Sequence, residues 1–126
     1  MNSDNFAFVS ERKSLPATIS AGALTLCEGI FYKTKNNFWI LEFWIATTSG
    51  NPAVAIPDVV FADTTAMAWP VAWFFDDWAT VHCMACATKN SNTIVTSQMT
   101  SSSGTHSIHG RILLASRPTA YLPEGV

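Results

Sequence analysis

Apolar and polar residues alternate along much of this chain with the two-residue period of a β-strand. Nowhere do apolar positions recur at the three–four spacing of a helix with capping residues at both ends. Residues 23–33 (ALTLCEGIFYK) read as a strand, and Gly29 inside it marks a bulge or a close backbone approach. Residues 34–37 (TKNN) carry turn chemistry, because Asn tolerates positive φ. Residues 38–47 (FWILEFWIAT) form the next strand, and the pair predicts an antiparallel hairpin. Residues 48–57, punctuated by Gly50, Pro52 and Pro57, read as a loop, and 58–62 (DVVFA) as a short strand. The stretch 63–77 fits either an irregular strand broken by Pro70 or a single helical turn. Residues 78–88 and 93–99 predict a second hairpin around the turn KNSN, and 105–115 a final strand with Ile108, Gly110, Ile112 and Leu114 on one face. Six or seven short strands with little helix predict an all-β fold, a single antiparallel β-sandwich or jelly roll over residues 15–118. Residues 1–14 are then an N-terminal arm, and 119–126 an extended C-terminal tail.

One strand raises a question that composition helps to answer. In FWILEFWI, Trp39, Leu41, Phe43 and Ile45 share one face, and Phe38, Ile40, Glu42 and Trp44 share the other. One face is wholly apolar and the other is apolar but for one carboxylate, whereas a sheet with one face in water shows polar residues there. The chain has 126 residues, 48% of them hydrophobic and only 13% charged, against a usual charged share of about 25%. Sister subunits covering the second face would explain both observations, and the expectation is a homo-oligomer with Phe38, Ile40, Glu42 and Trp44 at its interface.

Net charge and cysteine usage exclude several partners. A formal charge of −2 leaves no basic footprint for nucleic acid. The N-terminus lacks the pattern of a secretory signal, and the run AMAWPVAWFF is too short to span a membrane. The expectation is a soluble protein made in a cytoplasm. Three cysteines, Cys27, Cys83 and Cys86, give no disulfide framework and read as buried thiols.

Candidate chemistry is sparse. Cys83 and Cys86 with His106 and His109 could supply two thiols and two imidazoles to zinc, but residues three apart on a strand face opposite sides. No metal or other cofactor is expected. There is no G-x-S-x-G elbow and no phosphate-cradling glycine motif, and Glu28 and Glu42 lie too near each other for glycoside hydrolysis, so no catalytic residue is nominated. The tryptophans Trp69, Trp73 and Trp78 beside Asp76 and Asp77 could form an aromatic platform on which a sugar ring stacks while carboxylates accept its hydroxyls.

The order of EGIFYKTKNNFWILEFWIATTSG, AIPDVVF, NSNTIVTSQ and IHGRILLASRP, spanning about residues 28–118, resembles the receptor-binding head domains of bacteriophage tail fibres and related β-rich virion proteins. This chain departs from them in being short, without the long shaft that precedes such heads. The resemblance implies a virion protein, made in the host cytoplasm, that assembles as a homotrimer and contacts other virion proteins and a host-surface glycan. Its receptor contacts would be Trp69, Trp73, Asp76, Asp77 and Trp78, with Ser101, Ser102, Ser103 and Thr105 of the polar loop. Other readings are a capsid-decoration or bridging protein docked through residues 1–14, a free-standing carbohydrate-binding lectin, and a small hydrolase.

Overall fold

Asn37 takes a φ of 67° in the computed structural model of the protein. That left-handed residue lets the chain reverse within 34–37, where Asn37 N–H donates to Thr34 O (3.0 Å) and Thr34 N–H to Phe38 O (2.8 Å). The structure describes residues 5–20, 22–48, 53–62, 69–76, 80–89, 92–96 and 106–126; for 69–76, 80–89, 95–96 and 106 the description is of the strands alone.

Among the described residues ten strands follow one another: β1 (Phe6–Val9), β2 (Lys13–Ser14), β3 (Thr18–Ile19), β4 (Leu24–Thr34), β5 (Trp39–Thr47), β6 (Ala53–Ala55), β7 (Trp69–Asp76), β8 (Thr80–Lys89), β9 (Thr93–Thr96) and β10 (His106–Leu114). They form one sheet in the order β1-β4-β5-β10-β7-β8-β9-β6-β3, with β2 also on β4, and every pairing is antiparallel. The fold is therefore all-β, and both expected hairpins, β4–β5 and β8–β9, are present.

Three local readings need correction. The loop expected over 48–57 contains β6, which three residues suffice to form because it is held between β3 and β9. Residues 58–62 form no strand, only a bridge from Phe61 to Leu114. Of the ambiguous stretch, residues 69–76 are strand β7, which tolerates Pro70 because the register with β8 shifts between Trp69 and Ala72 while β10 pairs only with residues 72–76.

The N-terminal residues are part of the sheet: β1 and β2 both lie along the edge of β4 away from β5. Past β10 the chain makes a 3-10 turn over Thr119–Tyr121. Tyr121 anchors it by stacking on Phe31, with ring centroids 5.0 Å apart, and by donating its hydroxyl to Pro57 O.

Strand alternation sorts the core. Trp39, Leu41, Phe43 and Ile45 are buried on one face of β5, joined by Phe31, Ile108, Ile112 and Leu114 from its neighbours. Val54 of β6 and Ile94 of β9, far along the strand order, belong to the same apolar cluster, so the sheet is bent around one core. Gly29 faces this core because a Cβ there would lie 2.8 Å from Leu41 Cδ1 and 2.9 Å from Leu15 Cδ1. The close approach, rather than a bulge, is what the glycine permits. Cys27 is buried among these residues, and burial, with the nearby Glu28 charge, pushes its thiol up to about 12, which leaves it unreactive.

Candidate functional site

The opposite face of β4, β5 and β10 is laid out by register. Glu28, Trp44 and His109 form one row across the three strands, Ile30, Glu42 and Arg111 the next, and Tyr32, Ile40 and Leu113 the third. Side chains on diagonal positions of such a grid are within reach when they are long. Glu42 uses both diagonals. Its Oε1 accepts the Tyr32 hydroxyl at 2.7 Å and Arg111 Nη2 at 3.5 Å, and its Oε2 lies 2.8 Å from His109 Nε2. An ionised carboxylate cannot donate, so Nε2 carries the proton of that contact.

Glu42 is only 8% exposed. Burial pushes its pKa up, but the hydrogen bonds from Tyr32 and His109 and the charge of Arg111 outweigh that and hold it below the ordinary carboxylate value. Tyr32 moves the other way. Burial, then its bond to the Glu42 carboxylate and that carboxylate's charge, raise the phenol to about 12.

The indole of Trp44 contacts two side chains, one from the neighbouring strand β10 and one from the chain just before β2. The His109 ring stacks on it at 4.7 Å and 14°, and the Arg12 guanidinium lies 4.0 Å from its centroid. Arg12 also pairs with Glu28, and Arg111 sits 5.5 Å above the Tyr32 ring. These contacts clothe the upper half of the face. Glu42, placed at an oligomer interface by the sequence reading, has its hydrogen-bond partners within its own chain, and Trp44 is half-buried under Arg12 and His109.

A carboxylate behind an imidazole is also the orienting half of a nucleophilic site. Ser107 stands two residues before His109 on the same face, and its Oγ has no hydrogen-bond partner. That oxygen is buried, and the Trp44 ring stacks on the imidazole of His109, whose side chain stays 37% exposed. Among the described residues no group of three or more His, Cys, Asp or Glu could hold a metal ion. Of the cysteine–histidine set, Cys83, Cys86 and His106 have no described side chain, and His109 is engaged by Glu42.

The lower half of the same face is apolar. The row of Tyr32, Ile40 and Leu113 continues to Val9 on β1, opposite Tyr32, and to Ala62, whose N–H bonds Leu113 O. A register shift in β1 between Phe6 and Phe8 lets Phe6 and Val9 both face outward, Phe6 against the Tyr32 ring at 5.0 Å, while Phe8 packs inward on Trp39. Phe38 lies one row below, and Val60, beside the inward Phe61, faces the same way. The exposed large apolar side chains of the described residues are Val9 (42%), Phe38 (58%), Val60 (42%) and Leu113 (47%). All of them fall on this band. Sequence reasoning found Phe38 and Ile40 but missed Val9, Val60 and Leu113, which only the strand order brings together.

Of the expected receptor contacts, Trp69, Trp73 and Asp76 lie on β7, where no side chain is described, and Asp77, Trp78, Ser101, Ser102, Ser103 and Thr105 lie outside the described residues. Comparison with protein-family models, with curated proteins and with solved structures returned no match.

Proposed function

We propose that the chain is a structural, non-enzymatic virion protein whose sheet folds into a sandwich and whose copies assemble through the apolar half of the β4–β5–β10 face. In the form that the tail-fibre resemblance implies, three copies make a rigid head that attaches to a host-surface glycan. The observation that carries the reading is the confinement of Val9, Phe38, Val60 and Leu113 to one band, in a chain with so few charges. Fully burying such side chains yields roughly 1.5–3 kcal/mol each before the costs of association. Scattered single apolar residues need no partner, but a contiguous band bordered by Arg111 has the make-up of an interface.

The attachment part draws on backbone placement. Asp76 pairs with both His106 and Thr80, so the connection from β7 to β8 and the chain entering β10 meet at one end of the sheet. Ligand contacts from the residues that follow Asp76 and from those that precede His106 could therefore act together, whereas Trp69 lies at the far end of β7. Several copies on a rigid body raise avidity without tight single contacts.

Solution mass at micromolar concentration tests the assembly. The expected result is a stable oligomer that Phe38→Asp with Leu113→Asp dissociates to a folded monomer; a wild-type monomer would reject the reading. Attachment is tested by a host-glycan array, where Trp73→Ala and Asp77→Ala together should abolish binding. Retained binding would leave the architectural alternative, decoration or bridging within the particle.

A further inference from the structure

A sheet that does not close has two ends, and those of this one are unlike. At one end β3 has two residues, Thr18 and Ile19, and Pro16 stands just before it. A short strand beside a proline is a poor template for another chain. At the other end β1 and β2 lie along β4, and among the described residues no strand pairs with their outer edge. The Ser10 N–H is directed into the sheet, to Phe31 O at 2.9 Å. Alternate residues of an antiparallel strand turn their amides to opposite sides, so the N–H and C=O of Val9 point away from β4. They meet no described residue. The strand itself, FAFV, contains no charge and no proline, the devices by which edges avoid pairing.

A cleft of about 600 Å³ lies along this edge, between residues 8–13 and the C-terminal residues 120–123. On its wall Glu11 has no ion-pair partner among the described residues, and Lys13 Nζ is bonded only to the Tyr121 carbonyl, at 2.6 Å. A bare strand edge, a cleft beside it for side chains, and one unneutralised charge of each sign make a surface complementary to itself.

We infer that β1 is a strand-addition site whose occupant is β1 of a second copy, paired antiparallel about a two-fold axis. The blunt β3 edge decides against the head-to-tail alternative. Pairing β1 to β3 would propagate a filament, whereas β1 to β1 about a two-fold uses the same edge of both copies and so closes. Val9 is also the β1 end of the apolar band, so the two-fold joins the bands of both copies into one surface. The inference rests on the homo-oligomer reading for its occupant but uses a different contact, the edge rather than the face. Copies are thereby joined in pairs, or trimers in pairs.

Val9→Pro removes the outward N–H, a position where an edge strand accepts proline, and Val9→Lys adds an edge charge without touching the backbone. Sedimentation of the full chain should give an assembly with an even number of copies, and each variant should halve its mass. The Val9 amide of the wild type should exchange with solvent at least tenfold more slowly than the residue-9 amide of Val9→Lys. An odd-numbered assembly, a mass unchanged in both variants, or a Val9 amide as fast as an open edge would overturn the inference. If Phe38→Asp with Leu113→Asp dissociates the wild-type assembly while both Val9 variants leave its mass intact, the edge contact alone is refuted; a wild-type monomer refutes both.

Discussion

The hydroxyl of Tyr32 donates to Glu42 Oε1 across 2.7 Å, from β4 to the diagonal position on β5. The bond holds a neutral phenol against an ionised carboxylate in a site from which water is largely excluded, and so it ties two titrations to the stability of the sheet.

The phenol side of that pair is visible spectroscopically. A pKa raised in the folded state means that the neutral form is favoured by folding. The associated stability is complete below the ordinary value near 10 and is lost as pH rises towards about 12. Burial raises Tyr121 as well, with the Asp58 charge adding to it. Absorbance titration of the folded protein should therefore show neither tyrosine ionising around its ordinary value. Tyr32→Phe should delete the step near 12 and cost about 1.5–3 kcal/mol, the worth of a hydrogen bond to a charged group.

Glu42 carries the opposite sign. Its pKa is depressed in the folded state, so its contribution is present above the ordinary carboxylate range and disappears as pH falls through that range towards the folded value. Denaturation curves at pH 7 and at pH 3 should show Glu42→Gln losing less stability on acidification than the wild type. Equal acid sensitivity of the two proteins would show that the carboxylate is not held as described.

Gly29 predicts a steric loss. An alanine there would place its Cβ 2.8 and 2.9 Å from the Cδ1 atoms of Leu41 and Leu15, both fully packed, and 3.2 Å from the backbone oxygen of Glu42. Gly29→Ala should destabilise by about 1–3 kcal/mol by urea titration, without altering the solution mass of the protein that remains folded.

The two faces of β5 predict different phenotypes for the same change. Phe43 is completely buried, and Phe43→Ala should cost about 3–5 kcal/mol. Phe38 is more than half exposed, and Phe38→Ala should change chain stability by about 0.5 kcal/mol or less under dissociating conditions. Its effect should instead appear as weaker assembly at low micromolar concentration.

Much of this was legible from local pattern. The β4–β5 hairpin follows from alternation on either side of a turn whose Asn37 takes positive φ, and the inward set of β5 is read directly from FWILEFWI. The cluster around Glu42 was not legible, because His109 lies 67 residues away and only the insertion of β10 beside β5 brings them together. A signal existed in HSIHGRILL, whose His109 and Arg111 alternate with the apolar Ile108 and Ile112 and so face the one carboxylate on the neighbouring strand. The band was hidden for another reason: the register shift in β1 turns Val9 and Phe6 to the same side, which strict alternation does not foresee. β6 escaped notice because its three residues sit among Gly and Pro and gain their strand character from β3 and β9.

The placement of β10 bears on how the chain comes to be folded at all. The latest of the strands to be synthesised is the one that joins β5 to β7, so until it emerges each of those two carries an unpaired margin. A nascent chain halted before residue 106 would hold two open-sided fragments, both inviting pairing with neighbouring polypeptides. Folding by this route awaits closure across a long separation, which makes it slow and dependent on a single late event.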